Sequence, residues 1–180
     1  MIGIPLGLAY ANAGEWLVHK YVLHGLGRKR TSFWSFHWLE HHRVARLRDF
    51  YDPDYERPLL RSGWNAQTKE AAALAGAALA HLPLFPVAPF FTGTVLFCIW
   101  NYYRTHKRAH LDPEWAKEHL PWHYDHHMAP DQDANWCVTK PWFDHFMGTR
   151  KPYLGTERER RDRERRERKK ARANGERAAA

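Results

Sequence analysis

Ten of the thirteen histidines fall into four tight clusters: His19/His24, His37/His41/His42, His106/His110 and His123/His126/His127. That pattern constrains the fold more than any other feature of the chain. Imidazole is the commonest metal-donor side chain near neutral pH, and its neutral form suits iron, zinc, copper and nickel. Four such clusters in so short a chain point to a polynuclear metal site, with helices assembled around it. Helical residues three or four apart share a face. His37 with His41, His106 with His110, and His123 with His126 and His127 are therefore each expected to aim from one helix toward a common centre. His19 and His24 are five apart and diverge by about 140° on an ideal helix. One of them is expected at a helix end, just before Gly25 and Gly27. One zinc ion takes only three or four protein ligands, so ten imidazoles predict two metal ions with about five donors each.

The 180 residues leave room for one domain. The formal charge of +8 resembles a nucleic-acid signal until its position is considered. Residues 157–177 hold eleven Lys/Arg against six Asp/Glu, which is +5 of that total. With mixed charge and no aromatics, residues 156–180 read as a basic cytoplasmic tail, disordered or a solvated helix. The tail keeps the chain soluble or touches anionic headgroups, and no nucleic-acid partner is expected. Cys98 and Cys137 form neither a disulfide framework nor a CxxC pair, as in a reducing compartment.

Mean hydropathy of −0.70 suggests a soluble protein, but the pattern along the chain points elsewhere. No Asp, Glu, Lys or Arg occurs in the 33 residues from Ala71 to Tyr103. Pro83, Pro86 and Pro89 interrupt that run and predict two helices joined by a tight hairpin. A full membrane span needs about 20 residues, so these helices must borrow from Asn65–Ala71 and Tyr103–His110. Residues 1–23 form a third candidate span and lack the basic region and cleavage site of a signal peptide. The alternative is a soluble helical bundle with a buried hairpin. Arg28-Lys29-Arg30, Arg43, Arg46, Arg48, Arg104, Lys107, Arg108 and the tail flank the same ends of the spans. The positive-inside rule then places the N-terminus and the proline turn outside and all four clusters on the cytoplasmic side. The expectation is an all-α, integral membrane helical bundle, residues 1–155, under a cytoplasmic histidine-rich di-metal cap. Residues 111–155, rich in Trp, Tyr and Pro, are expected to cover the site at the membrane–water interface.

Hydrolytic zinc sites usually add a carboxylate or water and need a nearby Glu as base. His37-Trp38-Leu39-Glu40-His41 fits the H-x-x-E-H arrangement of zinc peptidases, but it leaves three clusters unexplained. A membrane-embedded, all-nitrogen dinuclear centre better suits iron activating O2 against an unreactive C–H bond. The clusters read HKYVLH (19–24), HWLEHH (37–42), HKRAH (106–110) and HYDHH (123–127), followed by NWCVTKPWFDHFMGT (135–149). In this order and spacing they resemble the histidine boxes and closing segment of the fatty acid hydroxylase/sterol desaturase superfamily, over roughly Asn12 to Tyr153. The resemblance implies a non-haem di-iron oxygenase acting on a membrane lipid, with His19, His24, His37, His41, His42, His106, His110, His123, His126 and His127 as ligands. Zinc is expected to replace iron in some purified protein.

Members of that superfamily often have four or more spans where three are counted here, so self-association into a homo-oligomer would supply a missing wall. EWLVHKYVLHG also resembles bacterial carotenoid ring hydroxylases, whereas the last box and NWCVTKPWFDH look more like the fatty acid and sterol branch. A fatty acyl or sterol-like substrate is therefore preferred. A carotenoid ring, a zinc-dependent membrane hydrolase and a non-catalytic metal binder are the alternatives. No cytochrome b5-like domain and no Gly-rich flavin or nicotinamide loop occurs, so electrons are expected from a separate ferredoxin- or cytochrome b5-like protein. Outside the boxes, His81 lies by the proline turn and is not expected to bind metal. His119 is separated from His123 by Leu120-Pro121. Glu15, Asp125 and His145 are candidates to orient ligand imidazoles, with Glu40 a weaker one.

Overall fold

The computed structural model describes residues 1–178. All regular structure in them is helical. Helix α1 (Gly3–Leu17) passes without a break into a π-helical segment, Val18–Leu26, and a second π-helical segment, Phe36–His42, leads into the short α2 (Arg43–Leu47). The proline hairpin forms where the sequence predicts it. Helix α3 (Ala66–His81) is followed by the Pro83–Pro86 turn and by α4 (Pro89–Leu111), with Pro89 in its first turn. Both helices borrow the flanking residues: Asn65 caps α3 in a reciprocal box with Thr68, and α4 runs on through His106 and His110. Three short helices follow: α5 (Pro113–His119), α6 (Pro121–Met128) and α7 (Trp142–Phe146).

Helices α1, α3 and α4 pack side by side, and the histidine-bearing segments gather at one end of that layer. Close approach of α1 and α4 depends on a small residue. A Cβ at Gly7 would lie 2.8 Å from the Thr94 Cβ and 3.1 Å from the Phe91 carbonyl oxygen. Around the outside, large apolar side chains such as Ile4, Leu8, Leu79, Phe85, Phe90 and Phe97 are exposed. No described helix is long and apolar enough to cross a membrane. Helix α3 is only 16 residues long, and α4, with 23, carries Arg104, Lys107 and Arg108 in its last turns.

The tail is helical: α8 spans Glu157–Ala178. Its first turns are docked rather than free. Glu159 is buried, the Tyr153 hydroxyl donates to Asp162 (3.1 Å), and Arg166 reaches Asp49 (3.7 Å).

Gly7→Val should drive α1 and α4 apart and destabilise the fold by about 1–3 kcal/mol, the usual cost of overpacking. Thermal unfolding in detergent measures it; an unchanged melting temperature would mean that the interface does not need the small residue.

Candidate metal centre

The two π-helical segments explain how histidines five apart can work together. In a π-helix the backbone closes i→i+5 hydrogen bonds, which brings residues five apart onto nearly one face. The Gly27 N–H donates to the Val22 carbonyl in this manner (3.0 Å). Gly27 is required there, because a Cβ would overlap the Leu23 carbonyl oxygen and lie 2.8 Å from that of Trp34. His19 and His24 consequently both point inward, and His24 sits in the last turn, before the Gly27 cap, as the sequence leads one to expect. Their shared direction corrects the divergence expected of an ideal α-helix. His37 and His42, also five apart, face the same centre.

All ten box histidines come together, and they divide into two groups. His19, His24, His37, His42 and His126 form the first, and His41, His106, His110 and His127 the second, with ligand atoms in each group lying within 4.8 Å of one another. His123 stands at the edge of the second, its Nε2 3.1 Å from that of His110. Sequence neighbours are thus split: His41 from His42, and His126 from His127. His37 and His41, expected to share a centre, serve different ones.

Hydrogen bonding at Nδ1 sets which nitrogen faces inward. His19, His110 and His126 place Nδ1 on the peptide carbonyls of Trp136 (2.5 Å), Phe50 (2.8 Å) and Ala134 (2.7 Å). A carbonyl only accepts, so the proton is on Nδ1 and Nε2 keeps its lone pair. His41 donates to the Asp52 carboxylate (2.7 Å), and the His106 Nδ1 lies 2.6 Å from a Glu70 carboxylate oxygen. In the second group Nε2 of His41 and His106 and both nitrogens of His127 are buried without any partner among the described residues. Buried acceptors left without donors cost free energy. A cation shared by those lone pairs removes the cost, so this donor set fits a metal ion in each group.

Burial, reinforced by neighbouring imidazoles, holds the His37, His42, His123 and His127 side chains well below the ordinary imidazole range. Burial likewise lowers His126 to about 4. All therefore remain neutral, the form that binds metal.

The proposed orienting residues are placed differently from expectation. Glu15 does not touch an imidazole: it accepts from the Val138 and Thr139 N–H groups (3.0 Å each) and from the Thr139 hydroxyl. It anchors the segment whose carbonyls hold His19 and His126. Asp125 binds Arg150 and the Leu154 N–H (2.7 Å each) and pins the chain beyond α7. His145 is exposed; its neighbour Asp144 is the buried one, accepting from the Trp136 and Cys137 N–H groups (2.8 Å each). Glu40 is paired with Lys69 (2.7 Å) at the surface. His119 lies outside the groups, stacked on Trp115, and His81 bonds Tyr10 at the far end of α3. The carboxylates that do hold ring nitrogens, Asp52 and Glu70, carry no motif. Glu70 had only its place at the start of the uncharged run to single it out.

Between α1, α3 and α4 lies a cavity of about 310 Å³. Its walls are mostly apolar (Val18, Leu74, Ala77, Val95, Ile99), its inner end is formed by His19, His37 and Glu70, and its outer end by Tyr10 and His81. No known protein family, curated protein or solved structure matches this chain.

The neutral state of the imidazoles has a consequence for metal-free protein. On unfolding they regain ordinary values near 6.5, whereas folded His126 sits at about 4. Between those values the unfolded chain binds more protons, so stability is fully present above pH ~6.5 and is lost as pH falls toward 4. Melting temperatures of chelator-stripped protein should drop steeply from pH 7 to 5; a flat profile would show that the imidazoles are already charged or exposed.

Proposed function

We propose that this chain is a membrane-embedded, non-haem di-iron oxygenase. It hydroxylates or desaturates a C–H bond of a fatty-acyl or sterol-like lipid, with electrons from a separate ferredoxin- or cytochrome b5-like protein. The observation that carries this reading is the pairing of two buried all-imidazole groups with an apolar cavity whose inner end is formed by His19 and His37 of the first group. His19, His24, His37, His42 and His126 would hold one iron, and His41, His106, His110 and His127, with His123 beside them, the other. Bound iron supplies the redox chemistry that activates O2. The rest falls to the chain: Nδ1 anchors fix the rings of His19, His41, His110 and His126, the donor groups contain no carboxylate, and the cavity keeps an apolar chain beside the site.

The likeness of the four boxes to the fatty acid hydroxylase/sterol desaturase superfamily supports the same assignment. A membrane setting is supported by the exposed apolar side chains of α1, α3 and α4 and by the basic residues at the histidine end of α4. In that setting the histidine groups and the C-terminus face the cytoplasm. The zinc-peptidase alternative is weakened by geometry, since His37 and His41 lie in different groups and Glu40 is engaged by Lys69.

Purified protein should contain two metal ions per chain, zinc in part because it outcompetes Fe²⁺ for nitrogen sites. His126→Ala and His127→Ala, adjacent in sequence, should each remove about one ion, from different groups, and each abolish lipid-dependent O2 uptake, whereas His145→Ala should do neither. One ion or none in the folded wild type would overturn the dinuclear reading. Hydrolysis supported by zinc alone, without O2 uptake, would overturn the oxygenase. Product analysis with acyl lipids, sterols and carotenoids separates the substrate classes.

Asp52→Asn removes the carboxylate behind His41. Metal affinity of the second group should fall about 10- to 100-fold, the usual loss when such a partner is removed, with the first group unaffected. Competition with a chromophoric chelator measures both.

A further inference from the structure

The cavity wall carries one hydroxyl that the fold leaves unused at its inner end. Most other polar side chains lining the cavity are engaged: Glu15 by the Val138 and Thr139 N–H groups, Glu70 by His106 and Tyr55, and Tyr10 and His81 by each other. Tyr102 also lines it, and no described residue hydrogen-bonds its hydroxyl. Tyr102 lies one turn before His106 on α4 and on the same face, with the two rings 5.6 Å apart. Trp34, whose indole N–H likewise has no acceptor among the described residues, lines the cavity too, and its carbonyl accepts from His37 N–H (3.2 Å). The free Tyr102 hydroxyl is thus on the helix face that also carries His106, while the walls leading to Tyr10 are mostly apolar.

We infer that Tyr102 hydrogen-bonds an uncharged oxygen of the substrate next to the carbon that is oxidised. The cavity then takes an amphiphile bearing an alcohol or an ester or amide carbonyl, with its apolar end toward Tyr10 and His81. This rests on the oxygenase reading and adds the substrate's polar group and the position of attack. A tyrosine hydroxyl both donates and accepts, so it serves alcohols and carbonyls alike. A free carboxylate is disfavoured. No Lys or Arg lines the cavity, whereas Glu15 and Glu70 do, and an anion there would lose its hydration without a cationic partner. A pure hydrocarbon is disfavoured because it would bury the Tyr102 hydroxyl unsatisfied.

The test uses full-length, metal-loaded protein in detergent and three probes: methyl palmitate, palmitate and hexadecane. Displacement of a fluorescent fatty-acyl ester reports binding; mass spectrometry reports the oxidised position after incubation with O2 and a reduced ferredoxin. Wild type should bind methyl palmitate tightest and oxidise it within a few carbons of the ester. Tyr102→Phe should weaken methyl palmitate roughly tenfold, the value of one hydrogen bond, leave hexadecane unchanged and scatter the products along the chain. Tyr103→Phe, whose hydroxyl is bonded to Gln67 (2.9 Å), should keep the wild-type order. Equal losses for methyl palmitate and hexadecane in Tyr102→Phe, tightest binding of palmitate, or oxidation at the methyl end would each overturn the inference. Binding in the expected order with no oxidised product from any probe would uphold the Tyr102 hydrogen bond and overturn both the oxygenase and the position of attack.

Discussion

Burying ten imidazoles at the end of a three-helix layer takes their ring nitrogens away from water, so the protons of those rings need fixed places. For His19, His110 and His126 peptide carbonyls provide that place, and for His41 the Asp52 carboxylate does. With the Nδ1 protons of His19, His110 and His126 held by Trp136, Phe50 and Ala134, the Nε2 lone pairs turn inward. Much of the remaining structure keeps those oxygens in position. Asn12 binds the Lys140 carbonyl (2.7 Å) and the Phe143 N–H (2.9 Å), while Glu15 and Asp144 hold the N–H groups of 136–139. An apparently irregular loop is thus tied to α1 by polar side chains that would otherwise be costly to bury.

The two groups are not independent. His41 and His42, and His126 and His127, are consecutive residues turned to opposite centres, and the rings of His42 and His127 stack across the divide at 4.2 Å. A displacement of either segment therefore moves donors of both groups. The geometry of the two groups is therefore a single property of the fold.

The hairpin was legible because prolines and an uncharged run are strong local signals, and Asn65 with Thr68 starts α3 as a capping sequence should. The convergence of the four boxes was legible from their number. Their division was not, because it depends on π-helical turns, which are rare and have no propensity signature; counting 100° per residue separates His19 from His24 and joins His37 to His41. Asp52 and Glu70 were hidden for another reason. Their partners are brought by chain reversals of 11 and 36 residues (41 to 52 and 70 to 106), and nothing local marks an acid that will meet a distant ring. Glu15, Asp125 and His145 show the converse: proximity in sequence to a box does not imply contact with its rings.

The turn that holds His110 shows why the tail's first turns belong to the folded unit. Asp49 and Phe50 both have positive φ (53° and 80°), a conformation costing about 1–3 kcal/mol per non-glycine residue. The turn delivers the Phe50 carbonyl to His110 Nδ1 at 2.8 Å and stacks the Phe50 ring on the same imidazole at 4.4 Å. Complete burial of Phe50 contributes about 1.5–3 kcal/mol in return, which offsets only about one of the two strained residues, so the turn needs further support. Helix α8 lies against it, with Arg166 beside Asp49 and Asp162 held by Tyr153. A mixed-charge sequence that reads as a solvated appendage thus divides into an inner part bracing a histidine of the candidate metal centre and an outer part that carries the remaining charge.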